Sequence, residues 1–336
     1  MSISAERLER WVHGIFSKEG LPEQNAQTVA KVLVWANLRG MDTHGVVRVP
    51  RYVDLIRAGD LNPRPAMKTR NHTPACVLLD SDRAAGPVAM THATELALQK
   101  AKEAGAGVCL VRGTTHTAAL GYYTHMAAEA DMAAISFCAS TANMAYHGAR
   151  AAGVSTAPLA IAVPGEHGPI ALDMASGMVS MGKLMQARRT GEPLPPGAAL
   201  DSKGVETTDG RAAALPLPLG GAKGSGLALL IECMTSLTTG NPLLAEVLEG
   251  TPLGARHRQN GAVIALDIAR FVDPVHFRRE AARLARAIKA LPPQPGMEIL
   301  LPGERGARTA GARRRDGIPL PDAVYAELRG LMEEPS

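Results

Sequence analysis

The chain has 336 residues, which at roughly 150 residues per domain suggests two domains and a core that needs no disulfides or metals. Its 36 Lys and Arg against 32 Asp and Glu give a net charge of +4, and only 3% of residues are aromatic. That balance argues against a nucleic-acid-binding surface, and the few aromatics argue against a base-stacking platform. Residues 4–19 carry Leu8, Trp11, Val12 and Ile15 at helical spacing behind Ser4 and Glu6, and predict an amphipathic helix. A second helix is predicted over 22–39, with Ala30, Val34 and Leu38 as its apolar stripe. The polar stretch Arg39–Gly45 breaks it, and Pro50 opens a third helix over 50–58. From residue 75 strands and helices mix: strand 75–80, helix 87–103 stopped by Gly105, strand 108–111, helix 119–130 and strand 132–138. Residues 159–163 and 170–173 read as a hairpin. Helices are expected at 177–189 and 223–238, a strand at 261–268, a charged helix at 274–290, a strand at 297–301 and a helix at 319–333. The Pro-rich stretch 193–218 reads as a long irregular segment that covers a site or a dimer contact.

Cys76, Cys109, Cys138 and Cys233 form no CxxC pair, and each sits among apolar residues. They read as small reduced core residues rather than metal ligands, and no HExxH or HxH pair suggests a metal. No stretch approaches the ~18 apolar residues of a membrane span, and residues 1–20 do not read as a signal peptide. The expectation is a soluble, cytoplasmic protein.

Four clusters carry chemistry. In Asp42-Thr-His-Gly-Val-Val-Arg-Val-Pro-Arg-Tyr52, His44, Arg48 and Tyr52 recur every four residues. Pro50 implies that the helix starts near 49, which puts His44 in the preceding turn. Arg48 offers a planar fork for a carboxylate, and His44 exchanges protons near neutral pH. A proton donor beside a carboxylate clamp suits reduction of a 2-oxo acid, although a capped turn with a solvated Arg is an equal reading of these residues alone. In Val111-Arg-Gly-Thr-Thr-His-Thr117 a strand runs out to His116, either an acid–base group, a cofactor contact or a plain turn histidine. In Ile170-Ala-Leu-Asp-Met-Ala-Ser176, Asp173 ends a strand and needs a partner, unless it caps the helix near 177. Gly220-Gly-Ala-Lys-Gly-Ser-Gly226 leads into a helix and has the physics of a phosphate cradle, with Lys223 as a point charge. It matches neither the P-loop nor GxGxxG, so a bound dinucleotide would need a different framework. Arg313-Arg-Arg315 reads as a solvated loop, with a 2′-phosphate contact as the minor alternative.

Together these clusters resemble the type-2 malate/L-lactate dehydrogenase family, which also holds ureidoglycolate and sulfolactate dehydrogenases, 2,3-diketogulonate reductase and cyclic-imine reductases. The elements are Thr43 through Tyr52, Thr115-His116, Pro158 through Pro164, Asp173 through Ser176, Lys223-Gly224 and Leu301 through Glu304. The resemblance implies an α/β (α+β) fold without a Rossmann domain. A large mixed, mostly antiparallel sheet over 76–274 would bind NAD or NADP. Helical segments 1–75 and 275–336 would supply catalytic and dimer-contact residues. It further implies a homodimer with the active site near the subunit contact. By motif match His44 and His116 are the acid–base candidates and Arg48 is the carboxylate clamp, with Thr43, Tyr52 and Asp173 in the catalytic site. Ser140, Asp173, Met174, Ala175, Lys223, Gly224, Gly303, Glu304 and Arg305 would line the cofactor site, and no metal is implied. The implied reaction interconverts a 2-oxo acid and a 2-hydroxy acid; reduction of a cyclic imine carboxylate is the alternative, and a cofactor-binding protein without catalysis a remote one. The chain departs from the family pattern at Thr43 (usually Ser), at Thr115, Thr117 and Ala118 (usually Asn, Phe and Gly), at Ser176-Gly177 (usually Thr-Ser) and at Ala222 (usually aromatic).

Overall fold

A computed structural model of the chain describes residues 1–70, 73–254 and 256–333. In chain order it begins β1 (Ser2–Ile3), α1 (Ala5–Lys18), α2 (Glu23–Leu38), α3 (Val49–Arg57), β2 (Lys68–Arg70), β3 (Cys76–Asp80), α4 (Gly86–Ala104) and β4 (Ala106–Thr114). It continues with α5 (Gly121–Glu129), β5 (Met132–Ser140), β6 (Met144–Ala145), β7 (Ala152–Val154), β8 (Leu159–Val163), β9 (Ile170–Met174) and α6 (Met181–Thr190). Then come β10 (Ala199–Asp201), β11 (Glu206–Thr207), β12 (Ala213–Pro216), α7 (Ala222–Glu232), α8 (Leu244–Leu248) and β13 (Gln259–Asp267). The last are α9 (Pro274–Lys289), α10 (Glu304–Asp316), β14 (Ile318–Pro319) and α11 (Asp322–Glu333).

Local chemistry explains several boundaries. Ser4 caps α1 by accepting a hydrogen bond from the Arg7 N–H, and the apolar stripe buries Leu8, Val12, Ile15 and Phe16. Gly105, in the left-handed region at φ 83°, ends α4 as expected. The hairpin of β8 and β9 forms as the sequence predicts, with Ile161 opposite Leu172.

The main sheet has the order β2-β3-β4-β13-β5-β8-β9. Among the described residues only β3 and β4 pair in parallel, so the sheet is mixed and mostly antiparallel, unlike a doubly wound one. β13 returns from late in the chain to lie between β4 and β5, with Gln259 opposite both Thr114 and Ser140. One end of the sheet therefore collects the ends of β4 and β5. Helices α4 and α5 cover one face, and α4 lies directly on β4 because a Cβ at Gly107 would meet the Ala97 carbonyl oxygen at 1.9 Å. On the other face α7 and α8 cover Phe137 and Ala262 near the β5 end. Beyond them the row Val108–Ile264–Ile135–Ile161–Leu172 crosses five strands in register, and Ile135, Ile161 and Leu172 remain 37%, 36% and 39% exposed. β1 pairs with β14 and ties the two chain ends together.

Four expectations are corrected. Residues 297–301 form no strand; Met297 and Leu300 are exposed and make no ladder. The Pro-rich 193–218 stretch is not irregular, for β10, β11 and β12 make a small sheet over a core of Leu184, Leu194 and Ala199, with most of its prolines outside the strands. Arg313 through Arg315 lie not in a loop but in the last turn of α10. Cys76 is exposed, whereas Cys109 and Cys138 are buried and Cys233 is half-buried.

Candidate active site

His44 closes a short 3-10 turn, Asp42–His44, and a second such turn, Val46–Arg48, leads into α3 with Pro50 in its first turn. The sequence therefore places His44 correctly before the helix. Thr43 Oγ1 lies 3.0 Å from His44 Nδ1, and Arg48 Nε donates to the Thr43 carbonyl at 2.7 Å. The terminal nitrogens of Arg48 have no hydrogen-bond partner among the described residues. Gly182 of α6 abuts Thr43, where a Cβ would come 2.6 Å from Thr43 Cβ. The bare glycine makes room for the threonine that stands where the family usually has serine.

Tyr52 is fully buried, and its hydroxyl lies 2.9 Å from His116 Nδ1 and 2.7 Å from the His116 carbonyl oxygen. The α3 helix thus holds the loop after β4. The His44 and His116 rings stack at 5.9 Å between centroids, tilted by 23°. Thr114 and Thr115 are structural: both hydroxyls donate to the Ala84 carbonyl, and Thr115 Oγ1 also accepts from the Gly86 N–H. Thr117 N–H donates to Gln259 Oε1, which anchors the loop to β13.

The electrostatics favour neutral imidazoles. Burial, then the Arg48 charge, pushes His44 down to about 4. His116 is driven well below its usual value by burial, then by Arg48, His44 and His257. Burial also lowers Arg48 and raises Tyr52, so the phenol stays protonated.

Asp173 partners neither a histidine nor the helix after 177. It caps α5, accepting from the Gly121 N–H at 2.7 Å, while Ser180 caps α6. Although Asp173 is open to solvent on one side, dense surrounding protein lifts its carboxyl to about 6, against the Gly121 hydrogen bond and the Arg39 charge.

The expected cofactor residues form a connected rim. Ser140 N–H donates to Ser155 Oγ, and the neighbouring Thr156 carbonyl accepts from the Ser176 N–H and hydroxyl. Met174 and Ala175 lead into Ser176, whose carbonyl accepts from the Leu219 N–H at 2.9 Å. Gly224 lies against this strand, where a Cβ would meet the Ser176 carbonyl oxygen at 2.5 Å. Lys223 is exposed in the first turn of α7. Gly303 sits beside Ala171 of β9 and gives its carbonyl to Arg39. Glu304 is already committed: Lys289, the Leu301 N–H and Arg308 hold its carboxyl down to about 2. Arg305 is exposed beside it. A cleft of about 360 Å³ adjoins Gly303 and Glu304 between the β8–β9 turn and α9. A second, of about 650 Å³, borders Thr43, Arg48, α6 and Arg313.

Sequence reasoning missed three participants. His257 has a buried Nε2 without a partner among the described residues, and burial, then the Arg51 charge, lowers its pKa. Gln259 and Arg313 act through contacts more than 100 residues away in sequence. His257 and Gln259 sit in no local motif, and Arg313 lies in the basic run read as a solvated loop, so only nonlocal pairing reveals what they do.

The site thus brings together two stacked histidines from separate loops and an arginine with free terminal nitrogens, beside a seven-stranded mixed sheet. Residues 3–329 match the family described as malate/L-lactate dehydrogenase, and the chain belongs to it; it is an oxidoreductase acting on the CH–OH group. It is 34% identical to L-sulfolactate dehydrogenase of Methanocaldococcus jannaschii, over 99% of this chain and 97% of that one. It is 32% identical to the ureidoglycolate dehydrogenase (NAD(+)) of Escherichia coli, over 98% and 95%. The fold is similar to that of malate dehydrogenase from Entamoeba histolytica, with a TM-score of 0.94 at 26% identity, over 100% and 99% of the two chains.

Proposed function

We propose that the chain is an NAD- or NADP-dependent dehydrogenase that interconverts a small 2-hydroxy acid and its 2-oxo acid. The observation that carries this is the neutral His44–His116 pair beside the unpartnered terminal nitrogens of Arg48. In this reading Arg48 binds the substrate carboxylate through two parallel hydrogen bonds and orients it. His44, with His116 as the second histidine of the site, takes the hydroxyl proton during oxidation and returns it to the carbonyl oxygen during reduction. When bound, the nicotinamide ring accepts or supplies the hydride. Its site would run along the rim from Ser140 through Asp173, Met174 and Ala175 to Lys223 and Gly224, with Gly303 through Arg305 at the other side. The fit rests on Lys223, an exposed cation in the first turn of α7, which Gly224 seats by packing against the Ser176 and Leu219 backbone. Thr43 and Tyr52 hold the two histidines, and Asp173 fixes the start of α5.

The reading includes a cytoplasmic homodimer. The exposed aliphatic row across the sheet supports an obligate partner of the same chain. No helix among the described residues is long and apolar enough to cross a membrane.

The test is absorbance-monitored oxidation of NADH and NADPH with pyruvate, oxaloacetate, 2-oxobutyrate, sulfopyruvate and pyrroline-2-carboxylate. Turnover of oxo acids supports the reading and ranks the substrates. Turnover of the imine alone would move the chemistry to C=N.

A further inference from the structure

We propose that Arg313 is a positioning residue for the catalytic turn, acting through Asp42. The inference rests on the roles given above to His44 and Arg48. Arg313 projects from α10 and grips Asp42 with both terminal nitrogens, Nη1 to Oδ1 at 2.6 Å and Nη2 to Oδ2 at 3.0 Å. The same Nη1 donates to the Asn37 carbonyl. Asn37 completes the frame: its Nδ2 donates to Asp42 Oδ1 at 2.7 Å, and its Oδ1 accepts from the Val46 N–H at 2.8 Å. Asp42 precedes Thr43-His44 and Val46 follows Gly45, so the turn is held on both sides of His44. Gly45 permits this, since a Cβ there would come 2.1 Å from Asn37 Oδ1.

Two 3-10 turns of three residues each have little rigidity of their own. The Thr43 carbonyl that Arg48 grips belongs to the residue directly after Asp42. A shift of Asp42 therefore moves the proton-transfer group and the carboxylate clamp together. Arg313 is the more buried partner, 16% exposed at its side chain against 47% for Asp42, so the pair is anchored from the α10 side.

The experiment compares wild type with Arg313→Gln, Arg313→Lys and Asp42→Asn in the full chain. It measures kcat and KM for the preferred substrate, Tm, and the ring C–H signals of 13C-labelled histidines, with His44 assigned through His44→Gln. The expected result for Arg313→Gln, assayed well below its Tm, is a kcat reduced about tenfold or more and a raised KM for the carboxylate. The His44 signal moves while those of the distant His13 and His92 stay. Lysine restores only part, because a point cation cannot replace the two-pronged grip. Asp42→Asn shows the same pattern, and it carries the test should Arg313→Gln fail to fold. An unchanged His44 signal with kcat and KM within twofold of wild type, whatever happens to Tm, overturns the proposal. Should wild type turn over nothing in the panel, the proposed reaction fails, and the His44 signal alone decides whether Arg313 positions the turn.

Discussion

The His44 and His116 rings lie 23° from parallel with 5.9 Å between their centroids, and Arg48 faces the same site. Two imidazolium ions cannot share that space with a guanidinium, so the free enzyme holds both rings neutral at pH 7. The sign for catalysis follows. His44, lowered from 6.5 to about 4, is a ready base throughout the neutral range and loses that role only as pH falls towards the lowered value. The kcat/KM for hydroxy-acid oxidation should stay level from about pH 8 to about pH 5 and fall below that. Reduction should instead slow as pH rises, because the protonated acid becomes scarce. A fall in oxidation centred at 6.5 or above would contradict the arrangement.

Tyr52→Phe removes the hydroxyl that bridges His116 Nδ1 and the His116 carbonyl. Leaving the buried His116 carbonyl without that donor, and Nδ1 with only the Ala118 N–H at 3.4 Å, should cost about 1–3 kcal/mol of stability. The kcat should fall further than that of a Tyr→Phe change remote from this loop, such as Tyr325→Phe beside Trp11. Urea unfolding beside steady-state kinetics checks both parts.

Arg48→Lys keeps the charge but loses the fork. Removing one charge-assisted hydrogen bond of about 1.5–3 kcal/mol should raise the substrate KM roughly 10- to 150-fold. Cofactor affinity, read by fluorescence titration, should stay within about twofold if the arginine serves only the carboxylate.

These predictions concern residues the sequence exposed unevenly. The turn from Asp42 to Tyr52 was readable because a four-residue spacing and Pro50 are local signals. The hairpin at 159–173 was readable because a Pro-Gly turn divides two apolar runs. The insertion of β13 between β4 and β5 was not, since nothing near 259–267 records which strands it will meet. Arg313 was misread because Gly306 and Gly311 gave its segment the look of a loop. In the fold a Cβ at Gly306 would come 3.3 Å from the Arg39 guanidinium, and the helix runs through both glycines. Asp173 was recognised as needing a partner, but the partner is a backbone N–H 52 residues earlier.

Gly86→Ala should misplace His116 without touching it chemically. A Cβ at Gly86 would come 2.1 Å from the His116 carbonyl oxygen and 2.6 Å from Thr117 Cα, and both are backbone. The loop must move, at a cost of about 1–3 kcal/mol. A lowered Tm together with lost turnover is expected, and wild-type kinetics in Gly86→Ala would refute the close packing.

Ile161→Glu probes the dimer. Ile161 lies in the exposed aliphatic row and is 36% accessible in the single chain, so a charge there should leave the fold intact. Light scattering coupled to gel filtration should show the mass halving to about 35.2 kDa. A wild-type chain that runs as a monomer would remove the homodimer from the proposal.

The grip of Arg313 on Asp42 also sets a schedule for biosynthesis. The two residues are 271 positions apart, and β1 waits still longer for β14. At about 5–20 residues per second, roughly 14–54 s separate the emergence of the two partners. A nascent chain that already carries both histidines, Arg48 and Lys223 still lacks the clasp on its catalytic turn. The catalytic turn would thus gain its hold only once α10 has emerged.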